Sequence, residues 1–108
     1  MQAWEYAAVV ADHASSGRLY HEFLRVPDLS VGLYVLDAGA TDPQSPHTED
    51  ELYYVVAGRG MVSVDGETRP IVPGSLVFVP AAAAHRFFDI AERLELLVVF
   101  GPAEGDRA

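Results

Sequence analysis

The sequence contains no cysteine and no lysine, and these two absences exclude several kinds of chemistry. Without cysteine there are no disulfides, thiolate nucleophiles, cysteine-ligated zinc sites or iron–sulfur clusters. Without lysine there is neither a Schiff base on a lysine side chain nor a P-loop. Reactive chemistry is therefore left to His, Asp, Glu, Tyr, Ser, Thr and Arg, and the chain has only four histidines.

Basic residues are also few, since seven arginines stand against 16 acidic residues, for a net charge of −9. Nucleic acids and anionic membranes select basic surfaces, so we expect neither as a partner. No apolar run approaches the ~20 residues that span a bilayer. The N-terminus lacks the basic segment of a secretory signal, so we expect a cytoplasmic protein. A chain of 108 residues, half of them apolar, is expected to form one domain.

The distribution of turn residues predicts a small β domain behind a short N-terminal segment. Residues 1–17 are expected to be helical or extended, with a helix over 4–15 that ends at Ser16-Gly17. From residue 18 to 101, β-branched and aromatic runs alternate with turns, which is typical of an all-β barrel or jelly roll. Residues 102–108 are expected to be a frayed tail. The predicted strands are 18–26, 31–37, 50–57, 60–65, 67–71, 75–79, 85–89 and 93–100.

Three short segments predict the tightest turns. Asp65-Gly66 suits a type I′ hairpin, in which both central residues have positive φ. Pro73-Gly74 suits the central positions of a type II turn. Gly58-Arg59-Gly60 is predicted to turn a further hairpin between two strands.

A cluster of polar residues begins the third predicted strand, in the segment SPHTEDELYYVV. Alternate residues of an extended chain share a face. One face would carry His47, Glu49, Glu51, Tyr53 and Val55. The other would carry Asp50, Leu52, Tyr54 and Val56. In the segment HRFFDI, one face would carry His85, Phe87 and Asp89. An imidazole and carboxylates beside apolar residues fit the mouth of a barrel.

The polar cluster resembles the first motif of the cupin superfamily of small β-barrels, G-x5-H-x-H-x3,4-E-x6-G. His47 falls at its second histidine, Glu51 at its glutamate and Gly58 at its last glycine. The first motif histidine would fall at position 45, which here is Ser45.

The second cupin motif, G-x5-P-x-G-x2-H-x3-N, is matched in spacing from Gly74 onwards. Pro80 and His85 stand at its proline and histidine. Ala82 replaces the motif glycine, and Asp89 replaces the motif asparagine.

This resemblance implies an all-β, double-stranded β-helix (jelly-roll) barrel in which His47, Glu51 and His85 converge on one divalent metal ion. Iron, manganese, zinc and nickel all accept imidazole and carboxylate ligands, and such a triad leaves coordination positions open. Because Ser45 is a poor donor, Gln44 and Glu49 are the nearby oxygen donors that could replace the missing histidine. Tyr53 is a further candidate for the pocket wall.

Two functions follow from such a barrel. In the first, the metal and a small ligand in the pocket serve a dioxygenase, decarboxylase or isomerase acting on a small oxygen-rich acid or sugar. In the second, the barrel is a non-catalytic small-molecule binding protein or sensor, with or without metal.

Outward-facing apolar residues, including Phe88 and Ile90, also predict a homodimer. Five aromatic residues are predicted to be in the core: Phe23, Tyr34, Tyr53, Phe78 and Phe87.

Overall fold

The computed structural model describes residues 1–105 and contains, over that range, one α-helix and six β-strands. They are α1 (Tyr6–Ser16), β1 (Tyr20–Val26), β2 (Leu29–Leu36), β3 (Asp50–Val64), β4 (Glu67–Ile71), β5 (Leu76–Val79) and β6 (His85–Gly101). All paired strands are antiparallel, in the order β1-β2-β6-β3-β4, with β5 paired to β3. The expectation of an all-β jelly roll with a short N-terminal helix is confirmed.

The helix α1 covers the outer face of β2. It ends at Gly17, whose φ of 69° is the left-handed conformation predicted from the sequence. Its buried residue Val9 packs with Leu33 and Val35, which lie on the face of β2 turned away from the barrel interior. Over residues 1–105, no helix is long and apolar enough to cross a lipid bilayer.

A long ribbon formed by β3 and β6 is the main difference from the predicted strands. The hairpin predicted at residues 58–60 is wrong, because β3 continues through them, and β6 likewise joins the two strands predicted at 85–89 and 93–100. Pairing between β3 and β6 is irregular from Val55 to Met61. Gly58 has a φ of 94°, and a Cβ there would collide with the backbone of the facing strand. The glycine therefore permits a bend at which the ribbon folds back on itself.

Two predicted orientations are corrected by the strands as observed. Phe78, expected in the core, is 59% exposed, because Val77 and Val79 take the inward positions of β5. Ile90, expected outside, is 4% exposed, because Asp89 adopts a φ of 47° and interrupts the alternation of β6. The core between the two halves of the ribbon contains most of the other predicted aromatics: Tyr34, Tyr53 and Phe87. Phe23 is partly buried beneath α1.

The chain beyond β6 packs against the barrel at residues 102–105. Ala103 is fully buried, and its N–H donates to the carbonyl of Pro27 at 3.3 Å. The N–H of Glu104 donates to the hydroxyl of Ser30 at 2.9 Å, and Arg25 donates to the Glu104 carbonyl at 2.7 Å. The frayed tail predicted for residues 102–108 is therefore wrong for 102–105, and residues 106–108 lie outside the described part of the chain.

Candidate metal centre

The bend in the ribbon brings together two residues that are far apart in the sheet register, and a third joins them from the loop before β3. His85 pairs with Val64 and Glu51 pairs with Phe100, at opposite ends of the ribbon. Nevertheless, the His85 Nε2 and Glu51 Oε1 atoms are 3.5 Å apart. His47 lies in the loop before β3, and one ligand atom from each of His47, Glu51 and His85 lies within 4.8 Å of the others. The structure thus assembles the residues that the sequence motifs selected.

The ring of His85 is oriented by the backbone beside it. Its Nδ1 lies 2.9 Å from the carbonyl oxygen of Ala83, and since a carbonyl only accepts, Nδ1 is the donor. In the neutral ring Nε2 then carries a lone pair. This atom lies 3.1 Å from Gln44 Oε1 and 3.3 Å from the hydroxyl oxygen of Tyr53. A backbone carbonyl that holds the distal nitrogen of an imidazole is the usual support of a metal-binding histidine.

Gln44 presents its amide oxygen to the same point because Asp42 holds its amide nitrogen. Gln44 Nε2 donates to Asp42 Oδ2 at 2.7 Å, which leaves Oε1 facing Tyr53 and His85. Asp42 also accepts from the Tyr34 hydroxyl at 2.6 Å and from the backbone N–H groups of Gln44 and Phe87. Asp42 was not predicted as a site residue, since only the closed barrel brings the Phe87 N–H to this loop.

The hydroxyl of Tyr53 faces more acceptors than it has protons. It donates to Glu51 Oε2 at 2.6 Å and lies 3.0 Å from Gln44 Oε1. Burial and the Glu51 carboxylate raise the pKa of Tyr53, so the hydroxyl keeps its single proton. Within residues 1–105, that proton cannot satisfy a carboxylate, an amide oxygen and an imidazole nitrogen together. A cation would satisfy them, and this nitrogen and oxygen donor set suits a divalent metal.

Glu51 is a buried carboxylate whose environment opposes its charge. It is 2% exposed, and burial raises its pKa, although the Tyr53 hydrogen bond and the two nearby imidazoles oppose that shift. Burying an ionised carboxylate is costly unless it is paired or coordinates a metal. A cation beside Glu51 would therefore stabilise the folded protein as well as complete the site.

Glu49 and Ser45, the other residues around the first motif, lie differently. Glu49 is 1% exposed and accepts a hydrogen bond from the hydroxyl of Thr48. Glu49 is therefore buried but lies outside the converging group, which consists of His47, Glu51 and His85. Ser45, at the position of the missing motif histidine, is exposed.

A cavity of about 100 Å³ adjoins this cluster. It is lined by Tyr20, Tyr34, Gln44, His47, Tyr53, Val98, Phe100 and Glu104. Glu104 Oε2 lies 3.4 Å from His47 Nδ1. Burial and the nearby Glu22 and Glu49 carboxylates raise the pKa of Glu104. No motif in the sequence includes Tyr20, and Glu104 lies in the segment that was expected to fray, so neither of these cavity residues was predicted.

Known proteins agree with this architecture. The model of the cupin domain family matches residues 32–100. An uncharacterized protein of Streptomyces coelicolor is 48% identical over 104 residues, which is 96% of this chain and 99% of that protein. An RmlC-like cupin from Shewanella frigidimarina has a TM-score of 0.73 and 26% identity, covering 82% of this chain and 79% of its own. The structure of KdgF from a Halomonas species has a TM-score of 0.72 and 26% identity, covering 82% of each chain. The chain therefore belongs to the cupin family.

Proposed function

We propose that this protein binds one divalent metal ion through His47, Glu51 and His85, and a small organic ligand in the adjoining cavity. The observation that carries the proposal is the convergence of three ligand atoms within 4.8 Å. With His85 neutral and Glu51 ionised, the acceptors at this point also outnumber the protons. Iron, manganese, zinc and nickel are the candidate metals.

Gln44 is the fourth protein donor in this proposal and replaces the histidine missing at Ser45. Its amide oxygen is 3.1 Å from His85 Nε2, and its nitrogen is held by Asp42. Glu49 is the less suitable candidate, because its carboxylate is engaged by Thr48. An amide donor is neutral, as the missing imidazole would be, so the charge of the ligand set is preserved.

A divalent ion in this site would polarise a carbonyl or stabilise an enolate, and iron would allow reaction with O₂. Neighbouring groups orient the proposed metal ligands: the Ala83 carbonyl fixes the His85 ring, and the Tyr53 hydroxyl holds the Glu51 carboxylate. Dioxygenation, decarboxylation and isomerisation are the reaction classes predicted for a catalytic form. A non-catalytic binding or sensor barrel is the alternative, and it would use the same metal and cavity.

Metal analysis of the untagged protein tests the proposal. We expect one ion per chain in the wild type and a loss of metal in His47→Gln and His85→Gln. His21→Gln is the matched control, since His21 lies on β1 outside the converging group. A wild-type protein that binds none of the four metals would refute the proposal. Oxygen consumption after reconstitution with ferrous iron then distinguishes a dioxygenase from the other forms.

A homodimer is part of the same proposal and is supported by an uncovered apolar face. Four side chains of β3 and β5 are 40–62% exposed on the outside of the barrel: Leu52, Tyr54, Leu76 and Phe78. They form two cross-strand pairs, Leu52 with Phe78 and Tyr54 with Leu76. We propose that a second copy of the chain covers them, because α1 packs elsewhere, on β1 and β2.

Light scattering of the wild type and Phe78→Asp tests the dimer. A wild-type monomer at micromolar concentration would contradict it, and the variant should be monomeric.

A cytoplasmic location also stays a prediction, to be checked by cell fractionation.

A further inference from the structure

The cavity beside the metal cluster has its polar groups at one end. Gln44, His47 and Glu104 line that end, and all three have partners there. Glu104 Oε2 lies 3.4 Å from His47 Nδ1, and Gln44 Oε1 lies 3.1 Å from His85 Nε2. The side chains of His47 and Glu104 are 23% and 34% exposed, so solvent reaches the cavity beside them.

The rest of the cavity wall presents apolar surface. It is formed by Tyr20, Tyr34, Tyr53, Val98 and Phe100. The hydroxyls of Tyr34 and Tyr53 donate at 2.6 Å to carboxylates outside this wall. The buried hydroxyl of Tyr20 lies against the backbone of Gly32, where a Cβ would overlap it. A ligand therefore meets ring carbons and the valine methyl groups along this wall.

Phe100 lies at the centre of the apolar wall. It is 2% exposed and pairs across the strands with Glu51, one of the proposed metal ligands. Its ring packs edge-on against the His47 ring, with the centroids 5.0 Å apart, and edge-on against the Tyr20 ring at 6.1 Å. Phe100 thus lies between the proposed metal ligands and Tyr20, where a tail extending from a metal-bound group would meet it.

The volume of the cavity limits the size of that tail. An apolar cavity of about 150 Å³ accommodates benzene, so a cavity of about 100 Å³ accommodates about four non-hydrogen atoms. Each buried methylene should raise the affinity about fourfold. A hydroxyl on the tail would instead lose its hydrogen bonds to water and find only ring carbons, which lowers the affinity.

We propose that the ligand has a metal-binding oxygen group and a short apolar tail of about four non-hydrogen atoms, an inference that rests on the proposed metal site. The oxygen group lies at the polar end with His47, and the tail lies against Phe100 and Tyr20. Phe100 limits the length of the tail and is a specificity-determining residue. A polyhydroxylated ligand such as a sugar acid does not fit, because its hydroxyls would have no partners along the wall.

Calorimetry with alkyl hydroxamates tests the ligand class. These compounds share one zinc-binding head group, and their tails can be lengthened one carbon at a time. On the zinc-loaded protein, affinity should rise about fourfold per carbon up to a tail of about four carbons and then stop rising. A hydroxamate with hydroxyl groups on a tail of the same length should bind at least about fivefold more weakly.

Two substitutions of opposite direction locate the limit. In Phe100→Leu the affinity should keep rising for longer tails than in the wild type, and in Val98→Leu it should stop at a shorter tail. Both variants should bind zinc as the wild type does, and Val98→Leu decides the matter if Phe100→Leu does not fold. Phe88→Leu is the matched control and should keep the wild-type limit, because Phe88 lies outside the cavity beneath the Arg86 side chain.

The outcomes separate this inference from the proposed function. Failure of the wild type to bind any of the candidate metals overturns both. A zinc-loaded protein whose affinity is independent of tail length, keeps rising to tails twice as long, or favours the hydroxylated tail overturns the ligand class and leaves the metal site intact. An unchanged limit in the folded variants overturns the role of Phe100.

Discussion

Replacing Glu51 by glutamine should make the metal-free protein more stable and should abolish its stabilisation by metal. Glu51 is 2% exposed, and its Oε2 accepts from Tyr53 at 2.6 Å, a bond that the glutamine oxygen can keep. The other carboxylate oxygen lies 3.5 Å from His85 Nε2. An amide nitrogen there supplies a donor to a cluster that has too many acceptors, and it removes a buried charge.

The free energy of unfolding of the metal-free variant should rise by about 1 kcal/mol, the net value of one hydrogen bond. This would raise the Tm by about 4–8 °C in a domain of this size. Metal at 100 times its Kd should stabilise the wild type by about 2.7 kcal/mol. The order of stability should therefore reverse, with the variant more stable in EDTA and the wild type more stable with metal.

Thermal and urea unfolding in EDTA and in saturating zinc measure both effects. Glu67→Gln is the control, because Glu67 is an exposed residue of β4 and its replacement should change neither value. The reasoning would be refuted if Glu51→Gln destabilised the metal-free protein, or if zinc raised its Tm as much as that of the wild type.

Four further results are expected. The folded-state pKa of Glu51 lies above the ordinary 4.5, so the metal-free wild type should lose stability relative to Glu51→Gln as pH rises from about 4.5 through that raised pKa. A difference in stability that does not change with pH would contradict this. Ala82 has a φ of 65°, so Ala82→Gly should raise the free energy of unfolding in urea by about 0.5–1 kcal/mol, whereas a loss of stability would show that no strain is relieved. Asp42→Asn should weaken metal binding about tenfold to 100-fold in calorimetry, because Asp42 accepts hydrogen bonds at both carboxylate oxygens and asparagine has only one oxygen. Unchanged affinity would exclude Gln44 as a positioned ligand. Gly32→Ala should lower the free energy of unfolding in urea by about 1–3 kcal/mol, because a Cβ there would overlap the Tyr20 ring; unchanged stability would show that the ring moves aside without cost.

The local features of the fold were predictable where short-range backbone geometry decides them. Alternation correctly placed Glu51 and Tyr53 inside and Leu52 outside. The type I′ turn at Asp65-Gly66 has the expected positive φ at both residues, 48° and 84°. The motif spacing selected the three residues that the structure brings together.

The local errors arose where one sequence pattern permits two structures. Glycines at residues 58 and 60 suit a tight hairpin and also a bend in a continuous strand. Because β6 pairs along both halves of β3, the strand continues through these residues and bends there. At Asp89, a left-handed residue shifts the alternation by one position, so Ile90 faces the core. Period-two counting cannot detect such a residue, because aspartate also occurs with negative φ.

The sequence by itself determined which side chains could form a site, and the tertiary structure decided which of them meet. His85 and Glu51 lie at opposite ends of the ribbon register and approach only because the ribbon folds back. Asp42, Tyr20 and Glu104 join the site from a loop, an outer strand and the chain after the last strand. Their positions depend on the closure of the barrel by packing between residues distant in sequence, and the torsion preferences of neighbouring residues do not encode those long-range contacts.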